Sequence, residues 1–128
     1  MRQITTWDEF PTVEYVPGVF RQAVSGEKVM LTRIVYRGEV TVAEHSHPAE
    51  QLMLIVEGRL WAKVGDETSE VGPGSLLIIP SDAVHAFRKL SDEDVVFYEA
   101  FAPIRLEYLI GFKGPDPSLA QIREGLTG

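Results

Sequence analysis

Eight short runs rich in β-branched and aromatic residues, most of them closed by a turn signal, commit this chain to an all-β fold. The runs are residues 13–16, 19–24, 28–36, 39–45, 51–56, 60–64, 75–79 and 95–101. Pro17-Gly18, Ser25-Gly26, Arg37-Gly38, Gly58, Gly65-Asp66 and Gly72-Pro73-Gly74 punctuate them. Glycine supplies positive φ and proline removes a ladder donor, so such positions end strands rather than continue them. Many short strands at this spacing predict a sandwich or a small barrel. No segment repeats at a fixed period and none is of low complexity. The end of the chain reads differently. Ser118 can cap a short C-terminal helix with Leu119, Ile122 and Leu126 on one stripe, which we read as a packing tail. For 128 residues, one domain spanning the whole chain is expected.

Composition removes several classes of function. The net charge of −7 argues against a nucleic-acid backbone as partner, because that surface needs clustered Lys and Arg. It also provides no long-range attraction for an acidic substrate, which local charge must therefore capture. With no cysteine, disulfides, zinc-thiolate sites, iron–sulfur clusters and thiol catalysis are excluded together. The first nine residues lack an apolar export core and no run is long enough to span a bilayer, so a cytoplasmic protein without membrane partners is expected. Gly72-Pro73-Gly74 lacks the Lys-Ser/Thr of a phosphate loop, and neither Ser46 nor Ser81 sits in a nucleophile elbow.

The chain has three histidines, and their placement suits one metal site. His45 and His47 stand two apart in Glu44-His45-Ser46-His47-Pro48-Ala49-Glu50-Gln51, and His85 closes Ile79-Pro80-Ser81-Asp82-Ala83-Val84-His85. Residues two apart on a strand share a face, so both imidazoles of the pair can point at one ion. Gln51, four beyond His47, keeps that parity and can add an oxygen. Glu50 is the rival ligand, because Pro48 can disturb the parity. The alternative is a surface His-Ser-His turn with one unrelated histidine. The frequency with which neutral imidazole serves as a ligand weighs against it.

These residues also form a pattern. Gly38, His45, His47, Gln51 and Gly58 resemble the first motif of the cupins, and Gly74, Pro80 and His85 resemble the second. Asp82 stands where a glycine is common and Lys89 where an asparagine is often seen; neither is a ligand position. The resemblance covers about residues 29–101. It implies a double-stranded β-helix, or jelly-roll barrel, with residues 1–28 adding strands before it and 102–128 a tail after it. It also implies one divalent ion held by His45, His47, Gln51 and His85. Imidazole and amide oxygen suit Zn, Ni, Fe, Mn and Cu alike, so the donor set does not name the metal. All four ligands are neutral, so the ion keeps its charge and favours an anionic oxygen. The missing carboxylate ligand argues against dioxygenase chemistry of the two-His-one-carboxylate type.

The segment Phe97-Tyr98-Glu99-Ala100-Phe101-Ala102-Pro103-Ile104-Arg105 resembles the closing strand of small KdgF-type cupins, which ketonise unsaturated uronates from pectin and alginate. Carried over, the resemblance implies Glu99 and Arg105 as catalytic residues, with Phe101 and Arg105 against the substrate. Glu99 replaces the usual aspartate. Parity places Met53 on the Gln51 face, as a further substrate contact. The expected roles are a proton carrier for Glu99 and a carboxylate clamp for Arg105. A polyketide-cyclase-like cupin is the close alternative, favoured by a broad pocket lined by Met30, Met53 and Trp61. A non-catalytic sensor or sugar-binding module is the third, since fold does not certify catalysis. A homodimer is expected, with residues 13–16 and 19–24 adding strands to a partner's sheet.

Overall fold

The computed structural model describes residues 3–109; the expected C-terminal helix lies outside them. Ten strands form: β1 (Val13–Val16), β2 (Val19–Ser25), β3 (Met30–Tyr36), β4 (Thr41–His45), β5 (Glu50–Glu57), β6 (Leu60–Val64), β7 (Glu67–Val71), β8 (Leu76–Ile79), β9 (His85–Lys89) and β10 (Val95–Ala102). Two 3-10 turns, Trp7–Glu9 and Leu106–Tyr108, flank them. The strands divide into a six-stranded sheet, β1-β2-β3-β10-β5-β8, and a four-stranded sheet, β4-β9-β6-β7. Every pairing is antiparallel. From β3 to β10 the chain crosses between the sheets at every step except the β6–β7 hairpin, the arrangement of a jelly roll. β1 and β2 extend the molecule's own sheet beside β3.

The period-two pattern decides which face is buried. On β3 the buried set is Met30, Thr32, Ile34 and Tyr36; on β5 it is Gln51, Met53 and Ile55. β10 turns Val95, Phe97, Glu99 and Phe101 to the same interior. Ile34, Tyr36, Met53, Ile55, Leu60, Phe87 and Phe97 belong to the main core between the sheets. Met30, Ala49, Phe101 and Tyr108 form a second, smaller cluster. Glu99 and Gln51 therefore occupy positions that a strand would ordinarily give to apolar side chains.

Two strands are absent from the expectation. β7 has an exposed, polar run on both faces, Glu67-Thr68-Ser69-Glu70, and so carries no alternation to read. It forms because β6 offers a paired edge. β9 begins at His85, directly after a turn whose Asp82 has φ 64°.

Gly58 supports a direct test of this packing. Its φ is +78°, and a Cβ there would meet the Asp94 carbonyl oxygen at 2.6 Å and Val95 Cα at 2.9 Å, both backbone atoms. Gly38 has a similar φ of +74° with nothing within 4 Å. Gly58→Ala should lower stability by about 2–3 kcal/mol and Gly38→Ala by only about 1, since the second carries the conformational strain alone. Thermal denaturation of both variants checks this; equal losses would reject the steric account.

Candidate metal centre

The site lies where one end of the six-stranded sheet faces β4 and β9. In the β4–β9 ladder His45 stands opposite His85. On the other sheet Gln51 stands opposite both Phe101 and Ile79, and Glu99 lies between Met53 and Thr32. His47 is not on a strand. It sits in the link between β4 and β5, so strand parity does not place it. Its carbonyl accepts from the Asp82 amide at 2.9 Å, and Ser81 Oγ donates to the next carbonyl, Pro48, at 2.6 Å. The turn before β9 thus holds the His47 link in position.

The ligand atoms of His45, His47 and His85 all fall within 4.8 Å of one another, and all three residues are buried. Each Nδ1 lies 2.9 Å from a backbone carbonyl: Ala43 for His45, Ala49 for His47 and Ala83 for His85. A carbonyl only accepts, so each Nδ1 carries the proton and each Nε2 presents a lone pair. The backbone has therefore fixed three tautomers in the form a metal requires. Among the described residues, His85 Nε2 is buried without a hydrogen-bond partner. Burial depresses His47 to about 4, helped by the Arg105 charge, and depresses His85 to about 3, helped by the neighbouring His45.

Gln51 completes the argument for a cation. Its Nε2 donates to Glu99 Oε2, which turns its Oε1 toward His47 Nε2 at 3.0 Å. Two lone-pair atoms face each other there, and such a pair is stable only with positive charge between them. The depressed basicity of His47 disfavours a proton, so the donor set fits a metal ion. Glu50, the rival ligand, is exposed on the opposite face of β5.

Glu99 is held at both oxygens, since Thr32 Oγ1 donates to Oε1 at 2.9 Å. Burial raises its carboxyl to about 7, against the lowering effects of the Thr32 hydrogen bond and of Arg105 and Arg21. Arg105 is buried, donates from Nε to Glu107 at 2.9 Å and from Nη1 to Tyr108 Oη at 2.7 Å, and rests 4.1 Å from the Tyr108 ring. Phe101 sets its ring 5.8 Å from that of His47. Met53 is in the main core.

The cavity among these groups is lined by His45, Gln51, His85, Glu99, Arg105 and Tyr108, with apolar residues below. At about 30 Å3 it has room for an ion and a water or two. Neither Met53 nor Phe101 is among its lining residues, nor are Met30 and Trp61. Trp61 lies on β6 with Arg88 5.7 Å from its ring. Three site residues were not singled out from the sequence: Thr32, Tyr108 and Arg21. The readable signal for Thr32 was a polar residue in an otherwise apolar phase, Met30-x-Thr32-x-Ile34-x-Tyr36. No local pattern marks Tyr108 or Arg21.

Comparison with known proteins agrees with this geometry. The chain is 32% identical over 82 residues to the polyketide synthase CurC of Streptomyces cyaneus, covering 63% of this chain and 47% of that protein; it thus spans about half the length of that relative. KdgF from a Halomonas species superposes with a TM-score of 0.77 at 20% identity, covering 85% of this chain and 100% of that one. An RmlC-like cupin from Shewanella frigidimarina also gives 0.77, at 16% identity, covering 85% and 97%. These structural likenesses establish the fold. The cupin domain model matches residues 32–101, more than half of the chain, so the chain belongs to the cupin family.

Proposed function

We propose that this cupin is a metal-dependent enzyme that moves a proton between oxygen and carbon in a small anionic substrate. The substrate to test first is an unsaturated uronate of the kind formed in pectin or alginate breakdown. The observation that carries the reading is Glu99: a fully interior carboxyl whose proton affinity burial brings to about 7, joined by a hydrogen bond to the Gln51 amide. Matched acidity and a place beside the metal are what a general acid–base group needs. His45, His47, His85 and Gln51 are the proposed metal ligands, which would take one divalent ion from among Zn, Ni, Fe, Mn and Cu. When bound, such an ion supplies Lewis-acid stabilisation of negative charge on a substrate oxygen.

Ketonisation needs no oxidant or reductant. The enol O–H proton is lost, the oxygen electron pair becomes the C=O π bond, and the former C=C pair takes a proton at carbon. Glu99 takes the first proton and delivers the second, with the Thr32 hydroxyl bridging to its Oε1. Arg105, braced by Glu107 and Tyr108, supplies positive charge toward a substrate carboxylate. The test is a turnover screen of unsaturated uronates with metal content measured in parallel. Loss of turnover on stripping the metal is the expected result; metal-independent ketonisation would overturn the reading.

A second reading, cyclisation or tautomerisation of an aromatic polyketide-like acid, draws support from the Streptomyces relative and from the apolar groove beside Tyr108. We further propose a homodimer. β1 forms an outer edge of the six-stranded sheet, and Leu52, Leu54, Leu76 and Ile78 are exposed together on the outer face of β5 and β8, an apolar surface of the kind that marks interfaces. Light scattering at micromolar concentration should return twice the mass of one chain; the mass of a single chain would refute it.

A further inference from the structure

Arg21 is a buried cation that feels the Glu99 carboxyl but makes no ion pair among the described residues. It lies on β2 and is 7% exposed. Its guanidinium carbon is 4.4 Å from the centre of the Tyr15 ring and 4.1 Å from that of Tyr108. Its Nη1 is fully buried with no hydrogen-bond partner among the described residues. The other two buried charges in this region are satisfied: Arg105 by Glu107 and Tyr108, Glu99 by Thr32 and Gln51. Stacking on two tyrosine rings recovers part of the desolvation of a guanidinium, but it leaves the Nη1 donors without an acceptor among the described residues. A guanidinium held between aromatic rings with unmet donors suits a carboxylate ligand.

The space beside it fits that use. Arg21 opens on a groove of about 440 Å3 lined by Phe10, Val13, Ile104, Tyr108 and Leu109. The metal cavity is smaller, at about 30 Å3. A volume of several hundred cubic ångströms suits a small organic ligand. Tyr108 lines both spaces and so forms the wall between them. Apart from Arg21 and Ser25 the groove walls are mostly apolar.

We infer that Arg21 and this groove form a second anion subsite, which takes the carboxylate of a small organic acid built on a six-membered ring. The subsite deepens the function proposed above and rests on it only for the anionic character of the ligand. Arg21 anchors the carboxylate of a ligand held in this groove, apart from the Arg105 charge assigned to the reacting substrate, and the ring lies against the apolar wall formed by Phe10 and Ile104. Uronates and aromatic acids share this chemistry, so affinity for one probe of each kind separates the two substrate readings.

The test is calorimetry on the protein as purified and again after chelation, with benzoate, its neutral isostere benzamide, and glucuronate as probes. Benzoate should bind saturably in both preparations, at least tenfold more tightly than benzamide. Arg21→Met should weaken benzoate at least tenfold with metal content unchanged. The benzoate–benzamide comparison needs only the wild-type chain, so it holds even if the variant fails to fold. Tighter benzoate than glucuronate assigns the groove to aromatic acids, and the reverse assigns it to uronates. Equal affinity for benzoate and benzamide, wild-type benzoate affinity in Arg21→Met, or benzoate binding that vanishes on chelation would each overturn the subsite. None of those results touches the metal site, whose own test is metal content.

Discussion

Alanine at His85 or at His47 is expected to empty the site of metal while leaving the barrel folded. Both imidazoles present a lone pair to the same point, with the protonated Nδ1 tied to a backbone carbonyl. Removing either leaves too few neutral donors to hold a transition metal against water. The fold does not depend on the ion. The main core between the sheets, around Ile55, Leu60, Val95 and Phe97, contains no ligand, and the ladders of both sheets run through backbone groups. Elemental analysis should fall from about one ion per chain to about a tenth or less, the 10–100-fold or greater loss in affinity typical of broken coordination. Circular dichroism should keep its β spectrum. A variant lacking both histidines that retains metal at unchanged stoichiometry would reject the site.

Glu99→Gln is expected to cost about 100-fold or more in kcat, the usual scale of general acid–base help, while metal and fold remain. The hydrogen-bond pattern explains why this substitution is clean. A glutamine at 99 still offers an oxygen to Gln51 Nε2, and its NH2 can donate to the Thr32 hydroxyl, which accepts as well as donates. The clamp on the Gln51 amide survives, and only the exchangeable proton is lost. Glu99→Leu should behave differently. Without an acceptor for its Nε2, the Gln51 amide loses its fixed orientation, and metal affinity should drop by about tenfold or more, as for other groups that orient a ligand. Arg105→Ala should appear mainly in KM, because it removes positive charge from the substrate side of the pocket. The measurement is steady-state kinetics on an unsaturated uronate with metal assayed in each sample. Wild-type turnover by Glu99→Gln would remove Glu99 as the proton carrier, whatever the metal result.

Much of this molecule could be read from local pattern. Turn residues and period-two alternation announced eight strands because both are properties of neighbours in sequence: a glycine at positive φ ends a strand wherever it sits, and burial of one sheet face shows as every second residue. The parity of β5 likewise put Gln51 inside and Glu50 outside. The chain's three histidines at cupin spacing marked the candidate metal centre, and the structure does bring them together.

What escaped was non-local. β7 has no apolar alternation of its own and exists because β6 presents an edge to it. His47 joins His45 and His85 from a link held by Asp82 and Ser81, residues more than thirty positions away, and not through the strand parity on which the sequence argument relied. The hydrogen-bond chain from Thr32 through Glu99 and Gln51 to His47 joins three strands and a loop. Its directionality, which suits a cation between two lone pairs, emerges only when those elements pack. Arg21 and Tyr108 lie 87 positions apart in sequence and carry no local signature at all. Secondary structure follows short-range sterics and patterning, whereas charge pairing, tautomers and cavity shape depend on which distant side chains the sheets bring face to face.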